Sequence, residues 1–347
     1  MNFEQYSLAF SREASQSGYT EQSIIRCLKY AEKLFSNKVP VIYNTSHLSV
    51  LVGYRKNYLK KASFYTPYFY RNFEILKKNG SKRIISEPLP SLKEIQIWIL
   101  NNILYNIEVS RFAKAYIRKS HIKQNLVFHK GQLQVLKLDI ENFFTSIKLS
   151  SIQDIFMSVW YSQLISNLLA KLCCHRGSLP QGGPTSPYLS NLYLKSVDES
   201  IYHYCMQKEI RFTRYADDMT FSGVFEEKGL IKFVTEELRI LDLKINEKKT
   251  KMMSRSSRQL VTGVVVNEKL QVPFYKRNKL RQDLYYIKKF GLENHMQRRK
   301  ITKSSYIEHL LGKINFILSI NQEDQEFLSY KNYLIELKRK SREIRPE

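Results

Sequence analysis

Apolar residues with helical spacing mark the first part of the chain. They recur at steps of four, three and four residues, at Ile24, Leu28, Ala31 and Phe35, and this spacing places them on one face of a helix. The segment FYTPYFYRNFEILKKNGSKRIISEP (64–88) alternates as a strand does and contains Asn79-Gly80, a pair typical of two-residue hairpin turns. The sequence therefore predicts a helical segment up to about residue 60 and then a β-hairpin.

Two further helices have sequence signals at their starts. Ser91 with Glu94, and Ser305 with Glu308, have the spacing of a capping box, in which both side chains satisfy backbone N–H groups of the first helical turn. Each pair precedes or begins an apolar stripe of helical period. The first stripe is Leu92, Ile95, Ile99, Ile103 and Ile107, and the second is Ile307, Leu310, Leu311, Ile314, Ile317 and Leu318.

The segment VLKLDIENFF (135–144) is predicted to be a strand that carries one carboxylate. Its alternation places Leu136, Leu138 and Ile140 on one face. The other face carries Val135, Lys137 and Asp139. A carboxylate on an otherwise apolar strand is costly to bury without a partner. Asp139 therefore indicates a bound cation.

A second acidic feature lies in RFTRYADDMTFSG (211–223). Apolar residues alternate on both sides of Ala216-Asp217-Asp218, which predicts a hairpin with these three residues at or near its tip. Adjacent carboxylates repel each other, so the pair costs stability unless it is solvated or holds a cation. Taken by itself, an Asp-Asp pair in a loop is more often a solvated acidic turn than a cation site.

The three carboxylates would meet if their strands are neighbours in one antiparallel sheet. Together they would bind two divalent cations about 3.5–4 Å apart, the arrangement that clamps the attacking and leaving oxygens in phosphoryl transfer. Mg²⁺ suits such a site because it accepts a few carboxylates and completes its shell with substrate phosphates. We expect two Mg²⁺ ions, with Mn²⁺ as a substitute.

The charge of the chain indicates its partner. The 347 residues include 56 Lys and Arg against 32 Asp and Glu, a formal net charge of +24. Such an excess points to a polyanion, most often nucleic acid and less often an anionic membrane surface. From about residue 275 the chain is basic and predicted to be helical. Basic runs that we expect to contact nucleic-acid phosphates lie at 276–281, 297–300 and 338–345.

Nothing in the sequence favours a membrane. No apolar run approaches the roughly 20 residues that span a bilayer, and the start, MNFEQYSLAFSREASQ, lacks the regions of a signal peptide. The cysteines lack metal-ligand spacing; they are Cys27, Cys173, Cys174 and Cys205. We therefore expect reduced thiols in a cytoplasmic protein.

Three motifs carry a family resemblance. LDIENFF (138–144), LPQGGPTSPYLSN (179–191) and YADD (215–218) occur in the order of the core motifs of reverse transcriptases, and the resemblance extends from about 70 to 320. Within that family the chain resembles the bacterial retron enzymes, which carry Val-Thr-Gly after the catalytic hairpin. They also carry Asn-Ala-x-x-His before the first catalytic strand. Here Asn125 and His129 hold that spacing, and Leu126 replaces the Ala.

The resemblance implies an α+β, right-hand polymerase fold. Its palm would be an antiparallel sheet backed by helices, with basic fingers before it and a helical thumb after it. A chain of this length holds one large domain or two to three smaller ones. We expect an N-terminal helical segment at 1–60, fingers and palm at 61–270, and a basic helical thumb at 271–347.

The resemblance also assigns roles in chemistry. Asp139, Asp217 and Asp218 match the catalytic carboxylates and, together with Ile140, the metal ligands. Lys249 matches the lysine that protonates the pyrophosphate, and Lys248 is the close alternative.

Other positions match residues that bind the incoming dNTP. Phe144 matches the steric gate against a ribose 2′-hydroxyl, and its neighbour Phe143 is the alternative. Gln181 would contact the nucleotide sugar and the template, and Gly182 with Gly183 would allow close backbone approach. Arg83 and Lys82 would grip the triphosphate, with a solvated charge pair as the alternative.

A last set is implied to bind RNA rather than to take part in chemistry. It consists of Asn125, His129 and the motif Val261-Thr262-Gly263. For His129 a purely structural role is the alternative.

The expected function is RNA-directed DNA synthesis in antiphage defence. A retron-like enzyme would copy part of a cognate structured non-coding RNA into a small, RNA-linked DNA (msDNA), would prime from a 2′-hydroxyl, and would act beside a separate effector protein. Two alternatives stay open: another bacterial defence reverse transcriptase, and an RNA-binding structural subunit with a residual polymerase site. The intact set of three Asp residues argues against the second alternative.

Overall fold

The N-terminal part of the chain is helical, as predicted. The structure, a computed structural model, describes residues 2–76, 80–302 and 305–343. Its first helices are α1 (Phe3–Gln16), α2 (Glu21–Ser36), α3 (Thr45–Val52) and α4 (Lys56–Phe64). Helix α2 buries Ile24, Ala31 and Leu34, whereas Leu28 and Phe35 of the predicted stripe are half-buried.

A β-hairpin and a helix follow. Strands β1 (Tyr70–Leu76) and β2 (Lys82–Pro88) are antiparallel, and Leu76 pairs with Lys82. The predicted turn at Asn79-Gly80 lies partly outside the described residues. Helix α5 (Pro90–Asn102) begins directly after Leu89 and has no side-chain cap. The predicted capping box of Ser91 and Glu94 is therefore wrong, because Pro90 already occupies the first turn.

The palm combines a four-stranded sheet with helices. The elements before the hairpin that carries Asp217 and Asp218 are α6 (Ile122–Phe128), β3 (Gln134–Asp139), α7 (Phe143–Ser146), α8 (Leu149–Ser158), α9 (Gln163–Cys173), α10 (Ser186–Tyr193) and α11 (Lys195–Gln207). The remaining ones are β4 (Arg211–Tyr215), β5 (Asp218–Gly223), α12 (Glu227–Ile240) and β6 (Lys251–Ser254). The strand order is β4-β5-β3-β6, and all pairs are antiparallel. The predicted strand and hairpin thus become neighbours in one sheet.

A short hairpin and helices complete the chain. The hairpin is β7 (Leu260–Val261) with β8 (Val264–Val265), and the helices are α13 (Phe274–Phe290), α14 (Leu292–Arg298), α15 (Tyr306–Ile320) and α16 (Gln325–Glu343). Ser305 is the N-cap residue of α15, but its side chain makes no capping hydrogen bond, so the predicted capping box of Ser305 and Glu308 is wrong.

Two apolar cores lie on opposite faces of β3. Leu136 and Leu138 belong to the main core, which also contains Leu34 and Leu59 of the N-terminal helices. Val135 belongs to a second core, formed mainly by β7, β8 and the C-terminal helices. The alternation predicted for this strand is therefore correct. The second core joins residues on both sides of the predicted boundary at 270, so the short hairpin packs with the thumb.

The expectations about membranes and thiols can be compared with the fold. In the described ranges, no helix has both the length and the apolar character needed to cross a bilayer. All four cysteine thiols are free. Burial raises the pKa of the Cys173 thiol to about 12, which keeps this thiol protonated and unreactive at neutral pH.

Candidate active site

The three predicted carboxylates lie at one end of the palm sheet. A two-residue turn, Ala216-Asp217, joins β4 to β5, and Ala216 has a φ of +60°, which is uncommon for a residue with a Cβ. Asp218 begins β5 and is the cross-strand partner of Asp139, which ends β3. The condition set by the sequence, that the two strands be antiparallel neighbours, is met.

Backbone hydrogen bonds fix the carboxylates relative to one another. The N–H of Ile140 donates to the carbonyl of Asp217 at 3.0 Å, and the N–H of Asn246 donates to the carbonyl of Asp139 at 2.7 Å. The side chain of Ile140 is buried and has no donor atom. As a metal ligand, Ile140 could act only through its backbone carbonyl.

Two lysines neutralise the carboxylates. Nζ of Lys249 lies 2.7 Å from Oδ1 of Asp139, and Nζ of Lys137 lies 2.7 Å from Oδ2 of Asp218. Lys248, the alternative to Lys249, instead lines a cavity of about 920 Å³ beside α12. Lys137 was not predicted as a site residue. Its place on the same strand face as Asp139 was the available signal.

The pKa values of the Asp217 and Asp218 carboxyl groups reflect their burial and the repulsion between neighbouring carboxylates. Burial raises the pKa of Asp217, and the charge of Asp139 raises it further, against the lowering effect of Lys249 and Arg83. Burial also raises the pKa of Asp218, against the lowering effect of Lys137. Within the part of the chain that the structure describes, the buried Oδ1 of Asp218 has no hydrogen-bond partner.

The donor chemistry of this site fits a hard divalent cation. Among the described residues, no three His, Cys, Asp or Glu side chains are arranged so closely that they form a metal site. Buried polar atoms without a hydrogen-bond partner are nevertheless rare, and a bound ion would be a partner for the buried carboxylate oxygen of Asp218. Carboxylate oxygens are the donors that Mg²⁺ prefers. Lys137 and Lys249 provide positive charge at the same carboxylates.

A cleft of about 450 Å³ lies between the β1–β2 hairpin and the loops that follow β3 and α9. Its lining includes Lys82, Arg83, Asn142, Thr145, Arg176 and Gln181. The structure thus brings together three of the residues predicted to bind a nucleotide. Sequence reasoning missed Arg176, which is exposed at the tip of a tight turn with a φ of +50°.

The two cations of β2 differ in their surroundings. Lys82 forms an exposed ion pair with Glu74, with a distance of 2.6 Å between Nζ and Oε2. Burial raises the pKa of Asp217 and of Tyr116, and Arg83 lies close enough to both groups that its charge partly offsets each rise. Arg83 is therefore the member of the pair that links the cleft to the carboxylates.

Gln181 and Gly182 are held against β2. The N–H of Ser86 donates to the carbonyl of Gln181 at 2.7 Å. Gly182 has a φ of +127°, and a Cβ there would lie 2.8 Å from the carbonyl oxygen of Ser86. Glycine is thus required by the close approach of β2. The close approach that the structure shows at Gly182 is thus to β2, and close approach of a nucleotide to this loop stays a prediction.

The neighbours Phe143 and Phe144 have different exposure. Phe143 is buried in the main core with 3% of its surface exposed. Phe144 is half-buried, and its ring centroid lies 5.3 Å from that of Phe143. Of this segment, Asn142 and Thr145 line the cleft. Phe144 is therefore the member of the pair with exposed surface, and its role as a steric gate stays a prediction.

The predicted RNA-binding residues Asn125 and His129 are fully buried. Nε2 of His129 lies 2.7 Å from Oγ1 of Thr213, and Nδ1 of the same ring lies 2.7 Å from Oγ of Ser222. The hydroxyl of Thr213 donates to Oδ1 of Asn125. These contacts dock α6 on β4 and β5. The prediction that these two side chains contact RNA directly is therefore wrong, and their role in the structure is to hold α6 in place. An indirect effect of the two residues on RNA binding stays a prediction.

Only part of the Val-Thr-Gly motif reaches the surface. Val261 is fully buried in the second core, so its predicted contact with RNA is also corrected to packing. Thr262 and Gly263 form the turn between β7 and β8, with φ values of +45° and +80°. A Cβ at Gly263 would lie 3.7 Å from Nζ of Lys276. The turn and the start of α13 therefore form one surface.

The basic runs of the thumb do not all provide free cations. Nη1 of Arg277 donates to Asp324 at 2.5 Å, and Arg281 donates two hydrogen bonds to the carboxylate of Glu326. These two arginines are thus held by Asp324 and Glu326, and their contact with RNA phosphates stays a prediction. Lys276 and Lys279 are exposed and line a cavity of about 570 Å³ between α13 and α15.

Comparisons with known proteins agree with this geometry. The family described as "Reverse transcriptase (RNA-dependent DNA polymerase)" matches residues 75–310. The chain belongs to this family. Among curated proteins, the retron Ec86 reverse transcriptase of Escherichia coli is 32% identical over 308 residues, which cover 87% of this chain and 92% of that protein.

Further relatives are similar over most of their length. The retron Mx65 reverse transcriptase of Myxococcus xanthus is 27% identical over 319 residues, or 84% of this chain and 71% of that protein. The retron Ec83 reverse transcriptase of Escherichia coli is 28% identical over 281 residues, or 76% and 86%. The chain is thus an RNA-directed DNA polymerase of the bacterial retron type, with the expected right-hand α+β fold.

Proposed function

We propose that this reverse transcriptase synthesises DNA by two-metal nucleotidyl transfer at Asp139, Asp217 and Asp218. The observation that carries the proposal is the buried, unpartnered Oδ1 of Asp218 beside its cross-strand partner Asp139. An anionic oxygen in that position is stabilised by a bound cation.

The site residues have distinct tasks in this mechanism. The three carboxylates and the backbone carbonyl of Ile140 would hold two Mg²⁺ ions, for which Mn²⁺ can substitute. When bound, these ions lower the pKa of the primer hydroxyl and neutralise charge on the departing pyrophosphate. Lys249, already beside Asp139, donates a proton to the pyrophosphate, which makes it a general acid.

Nucleotide selection occurs in the cleft between β2 and the loops after β3 and α9. Arg83 and Lys82 bind the triphosphate, and Arg83 is suited to this because its planar guanidinium matches phosphate geometry. Gln181 contacts the sugar of the incoming dNTP and the template. Phe144 excludes ribonucleotides by blocking the space that a 2′-hydroxyl would occupy.

The template is a cognate structured non-coding RNA, part of which is copied into a small DNA. Priming from a 2′-hydroxyl leaves this DNA covalently joined to the RNA as msDNA. The similarity to retron reverse transcriptases supports this product. In this proposal the enzyme acts in the cytoplasm, in antiphage defence, beside a separate effector protein.

The test is to sequence the nucleic acid that copurifies with the protein. A short DNA joined to one abundant RNA through a 2′ linkage is the expected result. DNA without that linkage would favour a non-retron defence reverse transcriptase, and RNA without any DNA would favour a structural RNA-binding subunit. The Asp217→Asn protein is the control, and we expect it to retain the RNA and to lack the DNA.

A further inference from the structure

A fully buried ion pair lies beneath the catalytic turn. Arg214 of β4 and Asp198 of α11 have no exposed side-chain surface. The cross-strand partner of Arg214 is Met219, which belongs to the main core. Removing two charges from water is costly, and apolar residues in place of such a pair often preserve stability. A contribution to overall stability therefore explains the presence of this buried pair poorly. Its hydrogen bonds indicate a more specific role.

The guanidinium of Arg214 connects three groups. Nε and Nη2 donate to the two carboxylate oxygens of Asp198 at 2.7 and 2.6 Å. Nη1 donates to Oδ1 of Asn191 at 3.0 Å and to the backbone carbonyl of Ala216 at 2.9 Å. Asn191 is fixed in turn, because its Nδ2 donates to the carbonyl of Ala115 at 2.8 Å. Asp198 and Asn191 thus orient a planar donor that holds the Ala216 carbonyl.

The Ala216 carbonyl belongs to the peptide group directly before Asp217. Ala216 has a φ of +60°, a conformation that persists only where the surroundings hold it. On the other side of Asp217, its own carbonyl accepts a hydrogen bond from the N–H of Ile140. Both peptide groups that flank Asp217 are therefore anchored, one to β3 and the other to Arg214.

This anchoring opposes a force within the site. Asp217 and Asp139 are close enough that the charge of one affects the other. Although Lys249 offsets part of this repulsion, like charges on the turn and at the end of β3 favour a wider separation of the two carboxylates. A rigid anchor beneath the turn keeps the carboxylates in place for a metal that has yet to bind.

We propose that Arg214, oriented by Asp198 and Asn191, is a positioning residue that holds the Asp217 turn in its metal-binding conformation through the Ala216 carbonyl. The inference rests on the proposed function, since it assumes that Asp217 ligates a divalent cation. Loss of an outer partner of this kind typically weakens metal binding about 10–100-fold.

The test separates positioning from stability with an apolar double replacement. Arg214→Met with Asp198→Leu removes the anchor while filling the space. The probe is Mn²⁺ alone, titrated without nucleotide or RNA and followed by electron paramagnetic resonance, with thermal unfolding measured in parallel. The matched control is Arg277→Met with Asp324→Leu, which removes the nearly buried pair of the thumb, where Nη1 of Arg277 lies 2.5 Å from Asp324.

We expect the Arg214 double variant to bind Mn²⁺ about 10–100-fold more weakly than wild type, and the Arg277 double variant to bind it as wild type does. Arg214→Lys is the second variant, which keeps the buried charge but cannot reach all three groups, and we expect it also to bind Mn²⁺ weakly. Unchanged Mn²⁺ affinity in folded Arg214 variants, or equal losses of affinity in both double variants, would overturn the positioning role of Arg214. The proposed metal chemistry would not be affected by either result. Absence of Mn²⁺ binding by wild type would overturn the proposed metal chemistry and, with it, this inference.

Discussion

Nζ of Lys249 and Oδ1 of Asp139 lie 2.7 Å apart, although 110 positions separate the two residues in the chain. Lys249 follows a loop in which the N–H of Asn246 donates a hydrogen bond to the carbonyl of Asp139. This loop therefore places a cation at the end of β3. An ammonium group in this position can hold the carboxylate before catalysis and can donate a proton during it.

Lys249→Ala should lower kcat by roughly 10²-fold or more, the size of effect expected for loss of a general acid. RNA affinity should not change, because Lys249 contacts the site carboxylate. Single-turnover incorporation of one dNTP measures the effect. Lys248→Ala is the matched control, and a larger loss in that variant would show that the two adjacent lysines have been assigned in the wrong order.

His129 should make the stability of the fold depend on pH. Burial first, and the charge of Arg211 second, lower the pKa of His129 to about 3 in the folded state, against about 6.5 in an unfolded chain. Between these values the unfolded chain binds a proton that the folded chain does not. The free energy of unfolding should therefore fall as the pH falls from about 6.5 towards 3, by at most about 1.4 kcal/mol per pH unit for this residue.

His129→Gln should remove that dependence while lowering stability at neutral pH, because hydrogen bonds to Thr213 and Ser222 are altered. Urea unfolding of both proteins at several pH values between 7 and 4 measures the difference. If the two curves of unfolding free energy against pH run parallel, His129 does not titrate as its burial predicts.

Phe144→Ala should allow incorporation of ribonucleotides without loss of dNTP chemistry, because truncation opens the space for a 2′-hydroxyl. The ratio of kcat/KM for dNTP and rNTP is the measurement. Phe143→Ala is the comparison, and it should instead lower the free energy of unfolding by about 3–5 kcal/mol, as expected for truncation of a buried Phe. Relaxed sugar selection in Phe143→Ala alone would assign the gate to that residue.

Period-two alternation predicted the elements of the active site well. Leu136 and Leu138 of β3, and Met219 and Phe221 of β5, are buried in the main core, so a shift by one residue would turn polar side chains into that core. The pairing of Asp139 with Asp218 depends on strand order, which the pattern within one strand does not contain. The residues alone set the pairing as a condition for metal binding, and the family resemblance made it an expectation.

Other features depend on tertiary contacts that a linear pattern does not contain. Arg214 looks like one more basic residue in a basic chain, and its partner Asp198 lies on another element. Asn125 and His129 match a motif, but their burial follows from the packing of α6 on two strands. Ser91 and Glu94 have the spacing of a capping box, whereas in the folded protein the Tyr54 hydroxyl donates a hydrogen bond to Glu94.

RNA binding should depend on exposed lysines of the thumb and not on its paired arginines. Lys279→Ala should reduce the salt dependence of binding by the contribution of one contact, about 0.7 log units in affinity per tenfold change in salt for single-stranded RNA. Arg281→Ala is the control, since its side chain is bonded to Glu326. Binding isotherms at several salt concentrations measure both slopes. A larger change in slope for Arg281→Ala would show that its ion pair opens to bind RNA.

Asp218→Asn should stabilise the metal-free protein at neutral pH. The folded-state pKa of Asp218 is raised, so its ionisation opposes folding as the pH rises through that value. Thermal unfolding without divalent ions should show a higher midpoint for the variant. Added Mg²⁺ should raise the midpoint of wild type only, because binding to the folded state stabilises it. A variant midpoint below that of wild type at neutral pH would contradict this sign.

The most direct test of the whole account is extension of a primed RNA template by wild-type and Asp218→Asn proteins, measured at saturating dNTP over a range of Mg²⁺ concentrations. We expect Mg²⁺-dependent DNA synthesis by wild type. In the variant we expect a loss of on the order of 10³-fold or more, equivalent to about 4 kcal/mol of transition-state stabilisation, with RNA affinity unchanged. Comparable extension by both proteins, or extension by wild type without any divalent ion, would contradict it.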